Sequence, residues 1–121
     1  MQLQLLKTYA ESIELRDATK EEIKEGDVKL LFNASLNEGD LKLFRIQFDI
    51  QLIVDNDKYL KLVHSSILEA NEDLSEAFME TSLCKVNAPA VAFPFLRSYI
   101  AQITLLSGFD PVILPTRKFS A

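Results

Sequence analysis

The stretch from Asn87 to Pro111, NAPAVAFPFLRSYIAQITLLSGFDP, decides how this chain is read. Val91, Phe95, Tyr99 and Ile103 recur every fourth residue and form one ridge of a helix, which Phe93, Leu96, Ile100 and Leu106 widen on the neighbouring side. Arg97, Ser98 and Gln102 leave only a narrow polar strip. That apolar arc is broader than one sheet face needs. Gly108 serves as the C-terminal cap and Pro111 as a further stop. Pro89 fits before the helix or in its first turn, where a missing N–H costs nothing. Pro94 lies near the opening turn or restarts the helix after a kink. It also biases Phe93 toward extended geometry, fixing the angle at which Phe93 and Phe95 leave the backbone. The tail FDPVILPTRKF is proline-punctuated and is expected to run extended along a surface groove.

Upstream the period changes from four to two. Leu3, Leu5, Tyr9, Ile13 and Leu15 share one parity, as do Val28, Leu30, Phe32, Ala34 and Leu36. The clearest strand is LKLFRIQFDIQLIV, with Phe44, Ile46, Phe48, Ile50 and Leu52 facing one way and Arg45, Gln47, Asp49 and Gln51 the other. DATKEEIKEGD (17–27) reads as a solvated connection; NEGD (37–40) and DND (55–57) read as turns. A fourth strand, YLKLVHSSIL, points Leu60, Leu62 and Leu68 one way and Val63 and Ile67 the other. It is expected to be covered on both faces, by a partner subunit or by an internal loop. Three strands in succession through short polar turns predict an antiparallel meander rather than βαβ units. In ANEDLSEAFMETSLC, Leu74, Ala77 and Phe78 have helical spacing and Asn71 is the expected N-cap. The fold class is therefore α+β: a four-stranded antiparallel meander sheet packed with one long helix, preceded by a helical crossover. All of it forms one domain, residues 1–121.

Composition excludes several functions. The chain is 48% hydrophobic and 26% charged, ordinary for a globular protein, with net charge −5. Generic binding to nucleic acid by phosphate neutralisation is not expected. The net charge resides in residues 69–80, whose five acids face no base, while the remainder balances 13 acids against 13 bases. That run reads as a solvated face rather than a docking patch. Cys84 is the only cysteine and His64 the only histidine, so neither a disulfide nor a His/Cys metal cluster can form within the chain. Nothing local activates Cys84, and a Cys84–His64 enzyme is the outside reading. The glycines fit turns and caps, not a phosphate loop. No catalytic residues, metal or cofactor are expected. The lone thiol and the polar N-terminal alternation predict a cytoplasmic protein without a signal peptide, and no apolar run approaches a membrane span.

Four strands, a crossover and NAPAVAFPFLRSYIAQITLLSGFDPVILPTRKF together resemble the SecB family of protein-export chaperones. Pro89, Phe93, Pro94, Phe95, Arg97, Ile100, Gly108, Phe109, Pro111, Leu114 and Pro115 carry the likeness. It follows the strand order over nearly the whole chain, with residues 87–119 its specific part. The resemblance implies a homotetramer, a dimer of dimers, whose long helices are sandwiched between sheets. It implies a holdase that grips unfolded polypeptide in apolar grooves without nucleotide. Positions matching the groove walls are Phe78, Met79, Phe93 and Phe95, and aromatic and methionine side chains suit varied clients. Val63, Ser65, Ile67, Tyr99 and Ile103 are the expected oligomer interface. The sequence departs from the family after KFSA, where typical members continue into a second helix and a polar tail that engages the SecA motor. SecA thus enters as a partner only through the likeness. A short SecB-like chaperone devoted to one client, such as the antitoxin of a toxin–antitoxin pair, is the competing expectation.

Overall fold

A computed structural model describes residues 1–119. Four strands form one antiparallel sheet: β1 (Leu3–Asp17), β2 (Lys29–Leu36), β3 (Leu43–Val54) and β4 (Lys58–Ala70). A short helix, α1 (Lys20–Glu25), joins β1 to β2, and a long one, α2 (Ala88–Leu106), covers one sheet face. The expected four-stranded sheet with one long helix is present. The meander embraces β2, β3 and β4, whereas β1 pairs with β4, giving the order β1-β4-β3-β2. The first strand thus reaches the far edge through the long β1–β2 connection, as in a Greek key.

Alternation along β3 is complete. Phe44, Ile46, Phe48, Ile50, Leu52 and Val54 are all buried, while the residues between them are half-covered. At the hairpin after Val54, Asp55 and Asn56 take φ of 54° and 67°, left-handed geometry that Asp and Asn tolerate. The Asn37 side chain closes the β2–β3 turn by accepting the N–H groups of Gly39 at 2.8 Å and Asp40 at 3.2 Å.

Strand β1 departs from simple alternation. Its register slips between Leu5 and Lys7 and again between Ala10 and Ser12, so Leu6 and Glu11 are extra residues. Each bulge reverses parity. Leu3, Leu5, Thr8, Ala10, Ile13 and Leu15 stand opposite the helix-side residues of β4, and Tyr9, expected among them, stands opposite Ser65 on the other face.

The region read as a bare connection contains α1, held by a capping box. Thr19 Oγ1 accepts the Glu22 N–H at 3.2 Å, and Glu22 Oε1 accepts the Thr19 N–H at 2.8 Å. Asn71, expected as an N-cap, instead accepts the Gln2 N–H at 3.0 Å and secures the start of β1. The crossover comprises a 3₁₀ turn (Glu76–Glu80) and a wide π turn (Leu83–Asn87) that runs directly into α2.

That wide turn explains how α2 accommodates its prolines. The Ala88 N–H bonds back to Leu83 O, five residues away, and Pro89 follows with no N–H to place. Pro94 is interior to the helix; it and Ala90 are both exposed, so the carbonyl deprived of a donor lies on the solvent side. At the other end Gly108 has φ 95°, its N–H reaches Leu105 O, and the Phe109 N–H reaches Thr104 O. This is a Schellman cap, with glycine where φ is positive.

Ala88, Pro89, Ala92, Phe93, Leu96, Ile100 and Thr104 form the buried face of α2. It lies over β1, β4 and β3. Each large apolar side chain sealed there contributes about 1.5–3 kcal/mol. The continuous helix Leu83–Leu106 is, by length and composition, long and apolar enough to cross a membrane, contrary to the sequence expectation. In the fold it is the core helix of the sheet.

Candidate polypeptide-binding site

Two apolar clefts flank β2 on the helix side of the sheet. One, about 340 Å³, is lined by Val28, Leu30, Ile50, Phe93 and the returning tail from Leu114 to Lys118. The other, about 360 Å³, lies among Phe32, Ala34, Met79, Cys84 and neighbouring polar groups. Phe119 belongs to an aromatic cluster with Phe32, Phe48 and Phe93, at ring-centroid distances of 5.5, 6.2 and 5.7 Å. Phe48 and Phe93 also meet edge to face at 6.0 Å. These tilted and T-shaped geometries are those that aromatic quadrupoles favour.

The tail is brought back by two polar contacts. Arg97 Nε donates to Leu114 O at 2.7 Å, and Thr104 Oγ1 accepts the Val112 N–H at 2.9 Å while donating to Ile100 O at 2.7 Å. Arg97 of the polar strip and Thr104 of the buried face are therefore committed to holding residues 112–114.

The four side chains expected to line a groove are distributed over four places. Phe93, 5% exposed, floors the first cleft, and Met79 lines the second. Phe78 is sealed beneath the crossover against Phe44, with ring centroids 5.0 Å apart. Phe95 is 44% exposed on the outer side of α2. There it joins Val91, Leu105 and Leu106, the last 84% exposed, in an apolar stripe opposite the packed face that exposed Ser98 and Gln102 interrupt. Leu106 was expected on the ridge beside Ile100 and instead faces outward. Sequence alone does not mark Phe119, Leu30 and Phe32 as site residues. The aromatic ending of an otherwise extended tail was the available signal for Phe119.

The expected interface residues fall on opposite faces of the sheet. Val63, Ser65 and Ile67 lie on the face away from α2, opposite Ser12, Tyr9 and Lys7 of β1. Around them runs a polar network in which Glu11 accepts from Arg45 at 2.8 Å, from the Tyr9 hydroxyl at 3.2 Å and from Gln47. Tyr99 and Ile103 are half-buried on the helix, with the Tyr99 ring 5.2 Å from His64. One flat contact cannot contain both groups.

His64 is buried, and desolvation lowers its pKa from the ordinary 6.5. Burial pushes the Cys84 thiol up, away from the reactive thiolate. Cys84 sits beside β2 and His64 on β4, with β3 between them. No pair of nucleophile and base is assembled by these two residues.

No protein-family profile matches the chain. Curated relatives do. The protein-export protein SecB of Rickettsia typhi is 29% identical over 99 residues, covering 78% of this chain and 63% of the relative. SecB of Anaplasma phagocytophilum is 39% identical over 54 residues, 45% of this chain and 34% of the relative. SecB of Anaplasma marginale is 31% identical over 85 residues, 69% of this chain and 48% of the relative. The chain thus spans from about a third to under two-thirds of the length of these relatives. Among solved structures, a SecB-like chaperone of Mycobacterium tuberculosis in complex with a ChAD peptide from an antitoxin superposes with a TM-score of 0.70 at 10% identity. That match covers 96% of this chain and 88% of the other. A Streptococcus agalactiae protein of unknown function gives 0.58 at 14% identity, covering 95% and 98%. The names of the curated relatives are those of export proteins, not of enzymes. The sheet order, the proline-opened helix and these sequence matches make the chain SecB-like in fold and distantly similar in sequence to the SecB export proteins.

Proposed function

We propose that this protein is a holdase, gripping non-native polypeptide in the clefts beside β2 without a cofactor. The observation that carries this reading is the 340 Å³ cleft over Phe93 and Ile50, walled by Val28 and Leu30 and open to solvent beside the tail. Apolar surface of this kind suits an extended chain with apolar side chains, and half-exposed Phe32 continues it along the strand. The outer stripe of α2 is assigned to self-association, with a tetramer as the expected assembly and the cytoplasm as its compartment. Service to export through the SecA motor is the wider form of the proposal, supported by the names of the curated relatives.

The test is aggregation of a chemically denatured protein diluted into buffer. Stoichiometric amounts of this chain should suppress light scattering and slow refolding; unchanged scattering refutes the holdase.

A chaperone dedicated to one client is a second reading, favoured by the antitoxin peptide bound to the Mycobacterium tuberculosis neighbour. Affinity purification from the native host separates the two. Many faint partners support the general holdase, and one stoichiometric partner supports the dedicated form.

A further inference from the structure

The aromatic cluster under the start of α2 already has an occupant. Phe119 is buried among Phe32, Phe48 and Phe93, yet it arrives on a segment without helix or strand structure. Among the described residues, the last hydrogen bond from the tail to the body is that of Leu114 O with Arg97. Pro115 through Lys118 line the mouth of the cleft and are exposed, and Phe119 follows into the aromatic cluster that shares Phe93 with it. Five extended residues reach roughly 17 Å, enough for the ring to leave its seat while Leu114 stays fixed. The seat is held by ring packing at one end of a tether. An extended segment of another chain bearing an aromatic side chain would meet the same three rings in the same geometry.

We propose that Phe119 is a detachable occupant of the aromatic seat adjoining the polypeptide-binding cleft, and that a client entering the cleft displaces it. The partner this surface fits is an extended polypeptide presenting an aromatic ring, with the tail of the chain as its intramolecular competitor. The inference rests on the holdase reading for the client, but not for the seat itself.

A fluorescein-labelled peptide of residues 114–121, LPTRKFSA, probes the seat directly. It should bind Phe119→Ala about tenfold more tightly than the unmodified chain, the factor expected if the seat is about nine-tenths occupied in cis. The same peptide with its phenylalanine replaced by alanine should not bind. Equal binding to both chains, or to neither, overturns the seat. Circular dichroism confirms that the variant is folded. With the native side chain retained, 4-fluorophenylalanine labelling gives a second readout. The resonance missing from Phe119→Leu should move toward its solvent-exposed position when a reduced, carboxymethylated unfolded protein is added. A stationary resonance in the presence of bound unfolded protein overturns displacement. If the peptide binds Phe119→Ala but neither chain binds unfolded protein, the holdase reading falls and the seat stands.

Discussion

The Nε–H of Arg97 donates to the carbonyl oxygen of Leu114 at 2.7 Å, joining the middle of the long helix to a residue 17 positions later. A charged donor is thereby spent on one backbone carbonyl. Arg97→Ala is expected to cost about 1.5–3 kcal/mol, the usual range for a hydrogen bond to a charged group. Amide exchange over residues 112–119 should accelerate while β3 is unchanged. Unaltered tail exchange would show that the bond does not hold it.

Thr104 offers a sharper test of the same return. It is fully buried and serves both as donor to Ile100 O and as acceptor for the Val112 N–H. Thr104→Val keeps the shape and orphans that N–H, for an expected loss of about 1–3 kcal/mol in chemical denaturation. Thr104→Ser should recover most of it.

Phe93 and Phe95 sit two residues apart and should respond oppositely. Phe93 is packed against Phe48 and Phe119, so Phe93→Ala should destabilise the fold by about 3–5 kcal/mol. Phe95→Ala, on the outer face, should leave the stability of the isolated subunit, measured at dilutions where it is monomeric, within about 0.5 kcal/mol. Comparable losses for the two in denaturant titrations would contradict this division.

The outer stripe of α2 can be examined through mass. Leu106→Glu places a charge at a residue that is 84% exposed in a single copy, so the fold should survive. Light scattering should then report a smaller particle than the parent. A parental mass would remove this face from the interface.

His64 supplies a pH dependence. Its folded pKa lies below the unfolded value of 6.5 because burial penalises the imidazolium. Its contribution is fully present above 6.5 and is lost as pH falls through the lower folded value, where the unfolded chain binds the extra proton. Its neighbours on the sheet are Ala10 and Phe48, and the ring above is Tyr99, none of which offers a countercharge. The melting temperature should therefore drop as the pH falls below 6.5, and His64→Gln should flatten that slope.

Much of this was legible in the sequence because the rule involved is local. Alternation from Phe44 to Leu52 marks β3 without help from any neighbour, and Gly108 announces its cap because glycine alone takes its φ of 95° without strain. The parity of β1 was not legible, since a bulge is defined by the partner strand and leaves no signature in Leu6 or Glu11 themselves. Phe78 and Phe93 share a residue type with Phe95, and only tertiary contacts separate the sealed rings from the exposed one. The seat of Phe119 depends on side chains contributed by β2, β3 and α2, elements far apart in sequence. The capping box at Thr19 and Glu22 was within reach, hidden only by the density of charge around it.

The two slips in β1 carry a consequence for how this strand can vary in length. Removing Leu6 closes one irregularity and leaves every facing pair on either side intact, from Leu3 with Ala70 onward. Glu11 is the other redundant position by counting, but its carboxylate gathers Arg45, Gln47 and Tyr9 and cannot be discarded so cheaply. The edge strand thus contains one spare rung. A single-codon deletion at Leu6 should be silent in the circular dichroism spectrum, whereas one at Phe48 in β3, where no slack exists, should abolish the folded signal.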